Sequence, residues 1–281
     1  MKAYGKINLT LRVIRKKDNG YHDLQMINAR ISLYDTIKIK EILDNDEVLY
    51  CNVPKNENND DLVLKVLKEF KKKYNIKKNY KIIIKKNIPF GAGLGGLSMD
   101  VAEILNYIKE KNKLSLDNFD LIEFTKLYGA DIPYGFYKGT CLVEGIGDII
   151  TPIKIKNLPR KLLLVNPNIY ISTEKVFKNV YEYDDELTLP QIIKNINNRD
   201  FYNSLEKTCF LLEPKMESLK NQLLEYGTCF MSGSGSSLIL IPNTKITLKK
   251  IKEKLPNCEV KIINILKGWK VWKIMKTKKQ N

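Results

Sequence analysis

The chain has 281 residues and 43% hydrophobic content, enough to bury a sizeable core in one large domain or two. No apolar run approaches the ~20 residues of a membrane span, Met1–Lys6 has no apolar stretch behind it as a signal peptide would, and five scattered cysteines without a Cys-x-x-Cys pair fit reduced cytoplasmic thiols, while a single histidine excludes a multi-histidine metal site. The net charge of +16 invites a nucleic-acid reading, but the lysines are spread along the whole chain, as in Lys71-Lys72-Lys73 and Lys249-Lys250, so they read as solvated surface that would also attract anionic nucleotides.

In chain order, Ile7–Val13 alternates apolar and polar residues at period two and predicts a strand. Asn19-Gly20 is a turn signal, and strands follow over Leu24–Leu33 and Thr36–Ile39. Residues 60–74 carry Leu62, Val63, Val66, Leu67 and Phe70 at helical spacing, with Asp60 and Asp61 at the start. A strand over 80–86 leads through a glycine-rich loop into a helix over Val101–Lys111, and a further helix over Leu116–Leu127 stops before Gly129. Cys141–Glu144 and Lys161–Val165 read as strands. Beyond them the pattern predicts helices near 173–180, 189–196, 214–225 and 246–254 and strands near 228–231, 237–241 and 260–265. The whole suggests an α+β protein in two halves, 1–158 and 159–281, divided at Asn157-Leu158-Pro159 and ending in a basic tail, Lys267–Asn281.

The most informative stretch is Pro89-Phe90-Gly91-Ala92-Gly93-Leu94-Gly95-Gly96-Leu97-Ser98-Met99, between a strand and a helix. Glycines let backbone approach a ligand closely, and a helix N-terminus offers unpaired N–H groups and the positive end of its dipole. Together these favour a phosphate. Gly91-x-Gly93-x-x-Gly96 matches the dinucleotide fingerprint by letter, but no acidic residue follows at the end of the next strand, and no Gly-Lys-[Ser/Thr] of a Walker loop occurs. A tight turn without a ligand is the bland alternative. A second small-residue loop, Ser232-Gly233-Ser234-Gly235-Ser236-Ser237, is either a hairpin turn or a second wall of the same phosphate site. His22 is the only histidine, and Asp131 sits between apolar residues just before Pro133, as a turn cap or a partly buried general base. Lys6, taken alone, is one lysine among many.

Six segments together carry a resemblance. Lys6-Ile7-Asn8-Leu9 with Asp18–Leu24, the loop from Ile88 to Asp100, Gly129-Ala130-Asp131-Ile132-Pro133, Glu144-Gly145-Ile146-Gly147-Asp148, Asn166-Pro167 with Ser172–Phe177, and Ser232-Gly233-Ser234-Gly235 stand in this order. They resemble the motifs of the 4-diphosphocytidyl-2-C-methyl-D-erythritol kinases, members of the galactokinase, homoserine kinase, mevalonate kinase and phosphomevalonate kinase (GHMP) superfamily. The resemblance implies two α+β subdomains with the site in the cleft between them. It implies transfer of the γ-phosphoryl of ATP, with Mg²⁺, to an alcohol of a cytidine-diphosphate-linked methylerythritol on the non-mevalonate isoprenoid route. Asp131 would accept the hydroxyl proton, and Lys6 would hold that carboxylate ionised and stabilise the transferring group. Residues 89–99 would wrap the ATP phosphates, Asn8 would position the substrate alcohol, Tyr21 and Phe177 would stack on the cytosine, and His22 would bond its edge. No residue is assigned as a metal ligand. Another small-molecule acceptor, a non-catalytic relative and a basic nucleic-acid-binding protein stand as alternatives. Leu97, Met99 and Val101 replace a glycine, a serine and an alanine of the family loop. If Leu97 needs a positive φ, it costs roughly 1–2 kcal/mol there, and Met99 removes a hydroxyl that would face phosphate or metal.

Overall fold

A computed structural model describes residues 1–52, 62–243 and 248–268. The N-terminal alternation resolves into two long strands rather than three, β1 (Lys2–Lys16) and β2 (His22–Ile42), joined through Asn19-Gly20 with Gly20 at φ 84°. The expected break between Leu33 and Thr36 is absent. Asp35, a residue type that favours turns, is fully buried and accepts the backbone N–H groups of Asn87 (2.5 Å) and Ile88 (2.9 Å), which keeps the strand running through it.

After β3 (Glu47–Cys51) come α1 (Leu62–Lys73), β4 (Asn79–Lys85), α2 (Gly96–Lys111), α3 (Asn118–Thr125), α4 (Ile132–Gly135), β5 (Thr140–Gly145) and β6 (Ile149–Pro152). The remainder is β7 (Lys161–Asn166), α5 (Thr173–Lys178), α6 (Leu189–Asn197), α7 (Leu205–Leu212), α8 (Pro214–Leu224), β8 (Gly227–Met231), β9 (Leu238–Pro242), α9 (Leu248–Lys254) and β10 (Glu259–Asn264). The expected helix start at Asp60-Asp61, the start at 246 and the tail from 269 lie outside the described residues. Four elements, β3, β6, α4 and α7, have no counterpart in the pattern expected from sequence. β3 and β6 are short edge strands, and α4 is a single turn, too brief for a period to show. The start of α7 is marked by a local bond, the Asn203 side chain accepting the Leu205 N–H two residues on at 3.0 Å, and its eight residues show only a short apolar stripe.

The first sheet has the order β3-β4-β2-β5-β6, with β1 paired to β2, and the second has β10-β7-β9-β8. All pairings are antiparallel except β3 with β4. Val63, Val66, Leu67 and Phe70 of α1 and Val101, Ile104, Leu105 and Ile108 of α2 bury their helical stripes in one core cluster, which Ile82 and Ile84 of β4 share. A second cluster joins Ile7, Leu9, Ile27 and Ala29 of the first sheet to Phe230, Ile239 and Ile241 of the second. β1 is the seam between the two sheets. One edge pairs with β2. On the other, the Lys6 N–H donates to Leu94 (3.0 Å), the Leu11 N–H donates to Tyr202 (2.8 Å), and Leu11 accepts from the Ser204 N–H (3.0 Å). Residues of β1 are thereby fixed against both the glycine loop and the second half of the chain.

Candidate functional site

Lys6 and Asn8 lie two apart on β1, and two residues along a strand face the same side. Lys6 is 3% exposed and its ammonium lies 3.1 Å from Asp131 Oδ2, with Asp131 left 30% exposed. A buried ammonium needs such partners. It finds a second in Asn8, donating to Oδ1 at 2.9 Å, and the Asn8 amide in turn donates to Asn28 Oδ1 at 2.7 Å. Asn8 is thus oriented from two sides, and Asn28 is a contributor that its sequence context did not mark. Asp131 ends the loop before α4, and the turn behind it is packed tightly. A Cβ on Gly147 would stand 2.3 Å from the Ala130 carbonyl oxygen, which is why the Gly145-Ile146-Gly147-Asp148 turn carries a glycine there.

The glycine-rich loop arrives at the same point. Gly91, Gly93 and Gly95 all have positive φ, and Gly95 is the N-cap of α2 with no side-chain cap. The first-turn N–H groups of α2 therefore have neither an intrahelical acceptor nor a capping side chain, and the helix dipole points its positive end at them. A Cβ on Gly95 would sit 3.1 Å from Lys6 Cε and 3.7 Å from Asp131 Oδ2. The loop, the ammonium and the carboxylate converge on one glycine.

The second small-residue loop closes onto the first. The Ser232 hydroxyl donates to the Gly93 carbonyl at 2.9 Å and accepts the Asn8 N–H at 3.3 Å, and the Ser237 N–H donates to Ala92 at 3.3 Å. A Cβ on Gly93 would stand only 2.0 Å from the Ser232 carbonyl oxygen. Asn203, buried and unforeseen from sequence, holds this loop by donating to the carbonyls of Met231 (2.9 Å) and Gly233 (2.8 Å).

Two expectations for the loop are corrected. Leu97 has no positive φ; α2 begins at Gly96, so Leu97 lies in its first turn and the anticipated strain does not arise. Met99 is fully buried in the core, and its N–H is already bonded to the Gly95 carbonyl at 2.9 Å. Both its side chain and its N–H are thus already engaged within the fold. Ala92 and Leu94 are also buried, so they serve the loop through backbone alone.

Beneath the loop, Lys86 bridges two fully buried carboxylates, Asp35 at 2.5 Å and Asp100 at 2.7 Å. Two carboxylates share one ammonium there. Burial, and then the charge of Asp35, push the Asp100 carboxyl up to about 7 against the pull of Lys86.

At the far end of β1, His22 is 7% exposed and lies 5.5 Å, centroid to centroid, from Phe177 on α5. Tyr183 stacks on the same imidazole at 6.3 Å and was not foreseen. Burial, with a smaller effect of the Lys16 charge, holds His22 below its ordinary value, so near neutral pH the ring is uncharged. Tyr21 projects 46% exposed from the turn, its N–H held by Asn19 Oδ1 at 3.1 Å. The structure therefore brings His22 and Phe177 together and leaves Tyr21 beside them on the rim.

Residues 61–139 match the GHMP kinases N terminal domain and residues 185–261 the GHMP kinases C terminal family. A 4-diphosphocytidyl-2-C-methyl-D-erythritol kinase of Thermodesulfovibrio yellowstonii is 36% identical over 264 residues, 89% of this chain and 91% of that one. The kinase of the same name from Clostridium botulinum is 38% identical over 252 residues, 84% and 88% of the two chains. Among solved structures, a crystal structure of 4-(cytidine 5'-diphospho)-2C-methyl-D-erythritol kinase superposes with a TM-score of 0.73 at 23% identity, covering 94% of this chain and 99% of that one. The Methanococcus jannaschii mevalonate kinase superposes with a TM-score of 0.65 at 18% identity, covering 95% and 98%. These two share the fold. With both GHMP domains matched and relatives of one name aligned over most of its length, the chain belongs to the 4-diphosphocytidyl-2-C-methyl-D-erythritol kinase family of the GHMP kinases.

Proposed function

We propose that the chain transfers the γ-phosphoryl group of ATP to the 2-hydroxyl of 4-(cytidine 5'-diphospho)-2-C-methyl-D-erythritol, a step towards isoprenoid precursors. The observation that carries this reading is the convergence of the uncapped α2 N-terminus, Lys6 and Asp131 around Gly95. Asp131 Oδ2 takes the proton of the substrate hydroxyl as its oxygen bonds to phosphorus, and ADP leaves with the electrons of the broken P–O bond. Lys6 offsets the negative charge of the transferring group, and residues 89–98 cradle the phosphates, those after Pro89 through backbone N–H groups. Asn8, held by Lys6 and Asn28, orients the hydroxyl. An uncharged His22 both donates and accepts, which suits the edge of a cytosine, and Phe177 with Tyr21 offers faces for stacking.

Magnesium, bound to the triphosphate, would offset its charge. Among the described residues no group of three or more His, Cys, Asp or Glu is placed to hold a metal. The residues present fit an ion that would be carried by phosphate oxygens and water and would need few ligands from the protein. We assign residues 1–158 to the nucleotide-binding subdomain and 159–281 to the second. Among the described residues no helix is long and apolar enough to cross a membrane, and five free thiols favour a reducing, cytoplasmic setting.

The test is phosphoryl transfer with the cytidine-linked substrate, its uridine counterpart and ATP. Asp131→Asn is expected to lower kcat ~100-fold or more while ATP binding persists. Full activity in that variant removes Asp131 from the role, and equal use of both nucleotide-linked substrates removes the cytosine assignment.

A further inference from the structure

Arg30 is a buried cation to which the proposed reaction assigns no role. It is 5% exposed on β2, and it is the cross-strand partner of Lys6 in the β1–β2 ladder. Its guanidinium donates to three backbone carbonyls: Nη1 to Tyr4 at 2.6 Å, Nη2 to Gly135 at 2.6 Å and to Tyr137 at 3.1 Å, and Nε to Tyr137 at 3.3 Å. The same group lies 5.2 Å from the ring of Tyr134, which is fully buried and donates its hydroxyl to Gly139 at 2.6 Å.

The position of those carbonyls gives the arrangement its meaning. Tyr4 lies just before Lys6 on β1. Gly135 and Tyr137 lie at the end of α4, the single turn that Asp131 opens. Such a turn has little stability of its own, and the Asp131 side chain makes no capping hydrogen bond to it. Its placement must come from tertiary contacts. One planar, rigid fork therefore ties the strand that carries the ammonium to the turn that carries the carboxylate, touching neither side chain.

We propose that Arg30 is a positioning residue that sets the separation and orientation of Lys6 and Asp131. The proposal rests on the reading of that pair as catalytic. Lysine cannot replace the fork, because an ammonium on a flexible stem reaches one of these carbonyls well but not both segments in fixed geometry. Misplacement of a reacting group by an ångström costs about 100-fold in rate, with little effect on affinity for groups bound elsewhere.

The experiment compares Arg30→Met and Arg30→Lys with the unaltered protein and with Asp131→Asn, measuring kcat and both KM values per ATP-binding site so that misfolded chains are not counted. Arg30→Met is expected to lower kcat roughly 10–100-fold with both KM values held within about two-fold, and Arg30→Lys to recover part of the loss. Should Arg30→Met not fold, Arg30→Lys decides: a lowered kcat at constant KM supports the role. An unchanged kcat, or a rise in KM that accounts for the whole loss, overturns it and leaves Arg30 a packing residue. Asp131→Asn keeps the two readings apart, because full activity there defeats the catalytic assignment whatever the Arg30 variants do.

Discussion

Gly93→Ala is a one-carbon perturbation aimed at the seam between the two small-residue loops. The added Cβ would stand 2.0 Å from the Ser232 carbonyl oxygen, 2.9 Å from its carbon and 3.1 Å from the Gly235 oxygen. Carbon–oxygen contacts tolerate about 3.3–3.6 Å, so the loops must part by more than ~1 Å. All the atoms met are backbone, so no rotamer change relieves the clash. Parting at that scale removes the Ser232-to-Gly93 bond (2.9 Å) and the Ser237-to-Ala92 bond (3.3 Å), each worth ~0.5–1.5 kcal/mol net. The φ of +71° adds ~1–2 kcal/mol of strain for alanine. Together the loss is about 2–5 kcal/mol in stability, and the Mg·ATP KM should rise because the cradle is opened. Gly20→Ala is the control. It has a comparable φ of +84° but nothing within 4 Å of the new Cβ, so only the strain remains and the ATP KM should stand still. Urea unfolding and ATP titration of both variants measure the difference. A Gly93→Ala protein as stable as Gly20→Ala, with unaltered ATP affinity, would refute the claim that the two loops form one tightly closed wall.

Restoring the family residues in the glycine loop should not improve nucleotide handling. Met99→Ser removes a fully buried side chain from the core and should cost about 2–4 kcal/mol in denaturant unfolding, and Leu97→Gly should cost a further ~0.5–1 kcal/mol in the first turn of α2; a lower ATP KM in either would contradict a Met99 turned into the core and a helical Leu97. For His22, a folded-state pKa held below 6.5 by burial means that the unfolded chain takes up its proton first, so the contribution is intact above pH 6.5 and is lost as pH falls below it. His22→Gln should flatten the part of the stability profile that falls away below about pH 6.5, and an unchanged slope would show that the imidazole is not desolvated.

The parts of the site that are legible in the sequence are those whose chemistry is local. A glycine between a strand and a helix carries its own meaning, since positive φ and close approach are properties of that residue. The loops at 91–96 and 232–237 can thus be read as two walls without sight of their 2.0 Å approach. The stripes of α1 and α2 are legible for the same reason, because a helical period is written in consecutive residues. Leu97 shows the limit of that reasoning. Its expected strain follows from the glycine that the family places there, but positive φ belongs to Gly95, and the helix already begins at Gly96.

Other residues take their roles from partners far along the chain. Lys6 is one of 48 basic residues, and only the carboxylate of Asp131 at 3.1 Å and the amide of Asn8 at 2.9 Å set it apart. The resemblance of whole segments points to that pair; periodicity and composition do not. Asn203 and Arg30 belong to no such segment. Each spends its polar side chain on backbone carbonyls of another element, a bond that can form wherever folding brings a donor to an acceptor. Nothing in their neighbouring residues encodes such a bond. The groups proposed to meet substrate are readable through whole segments, because phosphate binding and proton transfer demand particular residue types. The groups that aim them answer to geometry alone, and a buried arginine bonded to three carbonyls across two segments is recognisable only once those segments stand side by side.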